Sequence, residues 1–164
     1  RIITMTNLRI GTGYDVHQLK NNLPLLLGGV QVLHSKGVVA HSDGDIVFHA
    51  LSDALLGAAA LGDIGHFFPD TNAAYKNMDS SIILSSVLSE LSKLSYQIVN
   101  VDITIVLERP KLQSVIPEIK SSVAKYLKTE LNQVNIKATT SEKMGFVGKE
   151  EGLVCYASVL IEKI

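Results

Sequence analysis

The sequence predicts an α/β sandwich of the α+β kind: a single domain with a mixed sheet of about four main strands, helices on one face and a small hairpin. Three observations carry this. Stretches with two-residue alternation take turns with stretches of helical apolar spacing. A Gly-Gly pair splits one apolar run into two short arms. No linker, repeat or low-complexity segment divides the 164 residues, a length that suits one domain.

Each element has its own reason. The first eight residues read as an extension ahead of a domain spanning 9–164, and "RIITMTNLRIG" has no cleavage-site pattern of a signal peptide. "LRIGTGYDVH" alternates as a strand does, and "LPLLLGGVQVLH" is a hairpin turning at Gly28-Gly29. A loop then leads into a helix from about Gly44 to about Ala60. "FFPDTNAAYKNMD" is a loop by its Pro, Asp and Asn content. "SSIILSSVLSELSKL" and "SVIPEIKSSVAKYLKTEL" have helical spacing, and between them "YQIVNVDITIVLERP" is a strand stopped by Pro110. "VNIKATT" and "EGLVCYASVLIEKI" are strands. The last is apolar on both faces, so it is expected inside a sheet covered on both sides.

Composition narrows the function. Hydrophobic residues make up 46% and charged residues 19%, which is apolar for a small monomer and points to surface buried against copies of itself. A net charge of -1 leaves no electrostatic footprint for nucleic acid. No apolar run reaches the roughly 20 residues of a membrane span. The single cysteine, Cys155, excludes an internal disulfide and fits a reducing, cytoplasmic setting. Within "LVCYASVLI" it reads as an inert buried thiol.

The polar residues that stand out are few. Asp15 and His17 are two apart in a strand, so their side chains share a face. His49, on the following helix, can supply a third ligand. Two His and one carboxylate with an open fourth position is the donor set of a catalytic zinc site. The plainer alternative is a hydrogen-bonded histidine on a partly buried helix. Asp45, His49 and Asp53 form one stripe of that helix, so either Asp can hold the other ring nitrogen of His49. Ser42, Asp43 and Asp45 also suit helix capping. His41-Ser42 is either an anion site at a helix start or an ordinary loop pair.

In "KATTSEKMGF", Thr139-x-x-Glu142 matches a capping box. The sharper alternative is that Thr139 and Thr140 bind phosphate while Glu142 holds a harder cation such as Mg²⁺. "GTG" at Gly11–Gly13 lacks the third glycine of a dinucleotide fingerprint. Lys111, just past a strand end, suits a phosphate contact and plain solvation equally.

Together these stretches resemble one family, the 2-C-methyl-D-erythritol 2,4-cyclodiphosphate synthases of non-mevalonate isoprenoid synthesis. The resemblance rests on "RIGTGYDVH", "LGGV", "AHSDGDIVFHALSDALLGAAALGDIGHFFPDT", "NVDITIV", "PK", "VNIKATTSEKMGF" and "EG", spread from Arg9 almost to the C-terminus. It implies that 4-CDP-2-C-methyl-D-erythritol 2-phosphate is cyclised to the 2,4-cyclodiphosphate with release of CMP. It also implies Zn²⁺, one per subunit, on Asp15, His17 and His49, and Mg²⁺ or Mn²⁺ on Glu142. His41 and Thr140 would stabilise the transition state. Ser42, Asp63, Ile64 and Gly65 would hold substrate, with Phe68, Pro69, Asp70, Thr71 and Asn72 closing over it. Thr139, Phe146 and Lys149 would contact phosphate, and Ser141 would hold substrate. Leu107, Glu108, Arg109, Pro110, Lys111, Leu112 and Gln113 would line a cytidine pocket of a neighbouring subunit.

The family resemblance further implies a homotrimer with active sites between subunits and an isoprenoid diphosphate in a central channel. Two departures stand out. Lys149 replaces a common Arg, keeping charge but losing the bidentate fork. His66 stands where Lys is common. Two other classes fit parts of the pattern. A metal-dependent phosphohydrolase would use the same cations with water, and a non-catalytic trimer binding isoprenoid diphosphates would need neither Glu142 nor Lys111.

Overall fold

The computed structural model describes residues 6–69 and 78–164. Strands β1 (Leu8–Asn21), β2 (Leu25–Leu27), β3 (Val30–Val32) and β4 (Lys36–Val39) precede helix α1 (Ile46–Ala58) and the one-turn helix α2 (Ile64–Phe67). Then come α3 (Ser80–Lys93), β5 (Tyr96–Val106), α4 (Ile116–Leu127), β6 (Val134–Thr139), the one-turn α5 (Gly145–Gly148) and β7 (Gly152–Lys163). Five strands form one sheet in the order β4-β1-β7-β5-β6, while β2 and β3 pair as the expected hairpin. β5 and β6 run parallel, and the other neighbours of the sheet are antiparallel.

The four main strands are those expected, and β4 is added where the sequence reads as loop. It is only four residues long and pairs with the far end of β1, Gln18 facing Val39 and Asn21 facing Lys36. β7 lies at the centre, between β1 and β5. Its Leu153, Cys155, Ala157, Val159 and Ile161 are buried with the helices, while Tyr156 is half exposed. Among the described residues the helices therefore cover one face of the sheet, and on the other face of β7 only the Gly152–Val154 end is buried. On the bare face Tyr14 and Tyr156 stand opposite each other and meet edge to face at 5.2 Å.

α1 fits against β1 because both surfaces are small. Ala50, Ala54 and Ala58 form one stripe of α1, and they lie over Gly11 and Gly13. A Cβ on Gly13 would stand 1.8 Å from the Ala50 carbonyl oxygen, and one on Gly11 1.9 Å from that of Ala54. The helix backbone thus rides directly on the strand, which is the role of the "GTG" stretch. Overpacking a tight contact costs about 1–3 kcal/mol. Gly13→Ala is expected at or above the top of that range, seen as a lower urea midpoint with an unchanged slope. An unchanged midpoint would refute the close approach.

The start of α1 is fixed by Asp45. Its Oδ1 accepts the amides of Gly28, Val47 and Phe48, and its Oδ2 accepts that of Gly29 at 2.6 Å. Gly28 and Gly29 have φ of 61° and 79°, so the hairpin turn presents two amides to one carboxylate. Burial pushes the Asp45 pKa up, opposed by the amides of Gly29, Gly28 and Phe48.

Two local expectations give way to longer-range pairing. The capping box at Thr139 and Glu142 does not form, because Thr139 is the last residue of β6 and pairs in parallel with Val106 of β5. Such a box occurs instead between Glu130 and Gln133, at a 3₁₀ turn. β5 ends at Val106, four residues before Pro110. Cys155 is buried, and that burial pushes its thiol pKa up, as an inert thiol requires. No described helix is long and apolar enough to cross a membrane.

Candidate active site

The close packing of α1 on β1 brings His49 to Asp15 and His17. Asp15 Oδ2 lies 3.1 Å from His17 Nε2 and 3.0 Å from His49 Nδ1. The two ring nitrogens are 3.1 Å apart. Asp15 Oδ1 accepts the amide of Val16 at 2.8 Å, which fixes the carboxylate plane. Burial pushes the Asp15 pKa up, but hydrogen bonds and charge from His17 and His49 outweigh it and hold the pKa well below the usual carboxylate range. Burial pushes His49 down, and the Asp15 carboxylate more than offsets this, so its pKa is raised. The three ligand atoms fall within 4.8 Å of one another. Two imidazole nitrogens and a carboxylate oxygen at one point suit a cation that accepts mixed nitrogen and oxygen donors and keeps a position open.

The other nitrogen of His49 faces different partners from those expected. Its Nε2 lies 2.9 Å from Ser80 Oγ and 3.2 Å from Ser42 Oγ. Neither Asp45 nor Asp53 reaches it: Asp45 is spent on four backbone amides, and Asp53 accepts the amide of Ile64 at 2.8 Å. Asp53 thereby ties α2 to α1, and its own burial pushes its pKa up against that hydrogen bond. Ser80 is invisible to sequence reasoning. It follows Asp79, the cap of α3, and nothing in its spacing links it to a histidine 31 residues earlier.

A cleft of about 330 Å³ opens over the cluster, lined by Asp15, His17, His41, Ser42, His49, Ile64, Gly65 and Phe68 among others. Asp63, exposed at the cleft edge, caps α2 and accepts the amide of His66 at 3.0 Å. Pro69 follows at the edge of the described chain, and Asp70, Thr71 and Asn72 lie outside the described residues.

The remaining candidates gather elsewhere. A second cleft of about 530 Å³ is lined by Leu107, Glu108, Pro110, Lys111, Leu112 and Gln113 on one side and by Thr139 and Thr140 on the other. The Leu107 amide donates to the Thr139 carbonyl at 2.9 Å, which joins the two segments. Arg109 does not line it, and its Nε stands 3.7 Å from Glu150 Oε1. Glu142 has φ 55° and donates its amide to Thr140 Oγ1 at 3.2 Å. Ser141 Oγ donates to the Met144 carbonyl at 2.6 Å. Phe146 rests on Gly152, and Lys149 is exposed at the end of α5. Within one chain Glu142 is not part of the Asp15 cluster, and the two clefts share no lining residue.

The sequence model of the YgbB family matches residues 8–162. The chain belongs to that family. A relative from Idiomarina loihiensis named 2-C-methyl-D-erythritol 2,4-cyclodiphosphate synthase is 52% identical over 155 residues, 94% of this chain and 98% of the relative. Among solved structures, the CDP complex of IspF from Plasmodium falciparum superposes with a TM-score of 0.85 at 33% identity, over 98% of this chain and 99% of that one. The bifunctional IspDF of Campylobacter jejuni gives 0.93 at 39% identity over 98% of this chain, which spans 43% of that longer protein. Membership in a family of synthases makes this YgbB chain an enzyme.

Proposed function

We propose that this chain cyclises 4-CDP-2-C-methyl-D-erythritol 2-phosphate to 2-C-methyl-D-erythritol 2,4-cyclodiphosphate with release of CMP, a phosphorus–oxygen lyase step of isoprenoid-precursor synthesis. The observation that carries it is the Asp15–His17–His49 cluster opening into a cleft shared with His41 and Ser42. An oxygen of the 2-phosphate attacks the β-phosphorus. The new P–O bond forms as the bond to the bridging oxygen breaks, and that oxygen leaves with CMP. The substrate supplies its own nucleophile, which agrees with a buried, unreactive Cys155.

Asp15, His17 and His49 would hold Zn²⁺, and Glu142 would hold Mg²⁺ or Mn²⁺ together with substrate phosphates. Bound cations neutralise the mutual repulsion of attacking and target phosphates and align them. His41 and Thr140 donate hydrogen bonds to oxygens that gain charge as the bond to CMP breaks. Thr139, Phe146 and Lys149 contact the phosphates, and Ser42 and Ser141 hold the substrate. The backbone at Asp63–Gly65 receives the methylerythritol hydroxyls, Phe68 lines the cleft beside them, and Leu107–Gln113 receives cytidine. A closed site keeps water from competing as nucleophile.

A homotrimer completes this arrangement. The two clefts are separate in one chain, and the bare sheet face carries Ile10 at 74% exposure beside Tyr14 and Tyr156 at 51% each. Burying that face against copies of itself removes a large apolar patch. It also lets the Glu142 and Leu107–Gln113 side of one subunit meet the Asp15 cluster of the next, around a central channel able to take an isoprenoid diphosphate. We place the enzyme in the cytoplasm, where its lone thiol stays reduced.

The test is ³¹P NMR of the purified protein with 4-CDP-2-C-methyl-D-erythritol 2-phosphate, Zn²⁺ and Mg²⁺. Cyclic diphosphate and CMP are expected in equal amounts. Inorganic phosphate would instead identify a hydrolase, and intact substrate with a zinc-loaded, folded protein would identify a non-catalytic binder.

A further inference from the structure

Ser80 is fully buried at the first turn of α3, and its hydroxyl has two partners. It donates a short hydrogen bond to Asp43 Oδ1, and the Ser80 amide donates to Asp43 Oδ2 at 3.1 Å. Asp43 is itself held in place, since its amide donates to the Met78 carbonyl at 3.1 Å and its Oδ1 accepts the Asp45 amide at 3.1 Å. Both Asp43 carboxyl oxygens accept backbone amides, and Oδ1 also takes the Ser80 hydroxyl proton, so that proton points to Asp43. Its lone pairs then face His49 Nε2, 2.9 Å away in a buried setting. Only an Nε2–H can complete that contact.

From this we infer that Ser80 is a positioning residue for the cation site: oriented by Asp43, it accepts the Nε2 proton of His49 and so leaves the Nδ1 lone pair free to bind a cation shared with Asp15 and His17. The inference rests on the reading of Asp15, His17 and His49 as cation ligands, and adds what sets the tautomer of one of them. A hydrogen bond on the far nitrogen of a ligating imidazole fixes its ring plane and strengthens its donor nitrogen. Ser42 is the weaker partner, because its Oγ is 3.2 Å from Nε2 and already accepts the Gly44 amide.

The experiment compares the unmodified protein, Ser80→Ala and Ser80→Thr by zinc competition against a chromogenic chelator, with far-UV circular dichroism as the control for folding. Loss of such a partner lowers metal affinity by about 10–100-fold. Ser80→Ala is expected to show that loss, and Ser80→Thr, which keeps the hydroxyl, to recover most of it. Wild-type zinc affinity in a folded Ser80→Ala overturns the inference. A second measurement uses ¹H–¹⁵N spectra of the histidine rings in the zinc-loaded unmodified protein. A slowly exchanging His49 Nε2–H proton is expected. Its rapid exchange with water overturns the inference even if Ser80→Ala does not fold. Failure of the underlying reading looks different: the unmodified protein itself would then bind no zinc, or His49→Ala would bind it normally.

Discussion

His49→Ala is expected to lose zinc and turnover together. His49 supplies one of three ligand atoms, and Asp15 and His17 alone leave two, too few for a stable site. A cation at a reacting phosphate contributes several kcal/mol of charge stabilisation. At 1.36 kcal/mol per factor of ten, the rate should fall by at least about a thousandfold. The fold should survive, because α1 is held by Ala50, Ala54 and Ala58 on β1 and by the Asp45 cap, none of which the substitution touches. The checks are zinc content by elemental analysis, CMP release, and a circular dichroism spectrum matching the parent. Stoichiometric zinc with full CMP release in this variant would remove the cluster from the mechanism.

The ease with which this site is read from sequence differs from ligand to ligand. Asp15 and His17 are legible because strand periodicity alone puts them on one face. His49 is legible as a polar residue on an apolar helix, but its meeting with the other two depends on helix-to-strand distance. That distance is set by Gly11 and Gly13 against an alanine stripe. The glycines are plain in the sequence, yet their purpose appears only when the helix they admit is in place. Ser80 is the opposite case. It looks like one more serine in "DSSIILSS", and its role exists only because α3 packs its first turn against α1.

The missed elements share a cause as well. β4, α2 and α5 are each four residues long, too short for any periodic signal. Two of them are held from outside their own segment: β4 by the end of β1, and α2 by the Asp53 carboxylate. The capping-box expectation at Thr139 failed for the same reason. A local rule applied to "TTSE" competes with six residues of parallel ladder between β5 and β6, and the ladder prevails.

Glu142→Gln separates the two cation roles. The residue stands outside the Asp15 cluster in the chain, at a left-handed turn whose amide is anchored to Thr140 Oγ1. Glutamine keeps the shape, and the anchoring bond is made by the backbone, so the turn should persist. What changes is the charge: a neutral amide is a much poorer ligand for a hard cation that prefers carboxylate oxygen. Turnover is therefore expected to drop by about a hundredfold or more, corresponding to roughly 3 kcal/mol of lost charge stabilisation. Zinc content should stay at the parent level, because Asp15, His17 and His49 are intact. Raised Mg²⁺ or Mn²⁺ should restore part of the rate, since the remaining contacts to that ion come from substrate phosphates. Loss of zinc from Glu142→Gln would instead mean that the two positions form one linked centre. A parent-like rate with zinc retained would mean that a single cation suffices, and that the β6–α5 turn serves only to position Thr139 and Thr140.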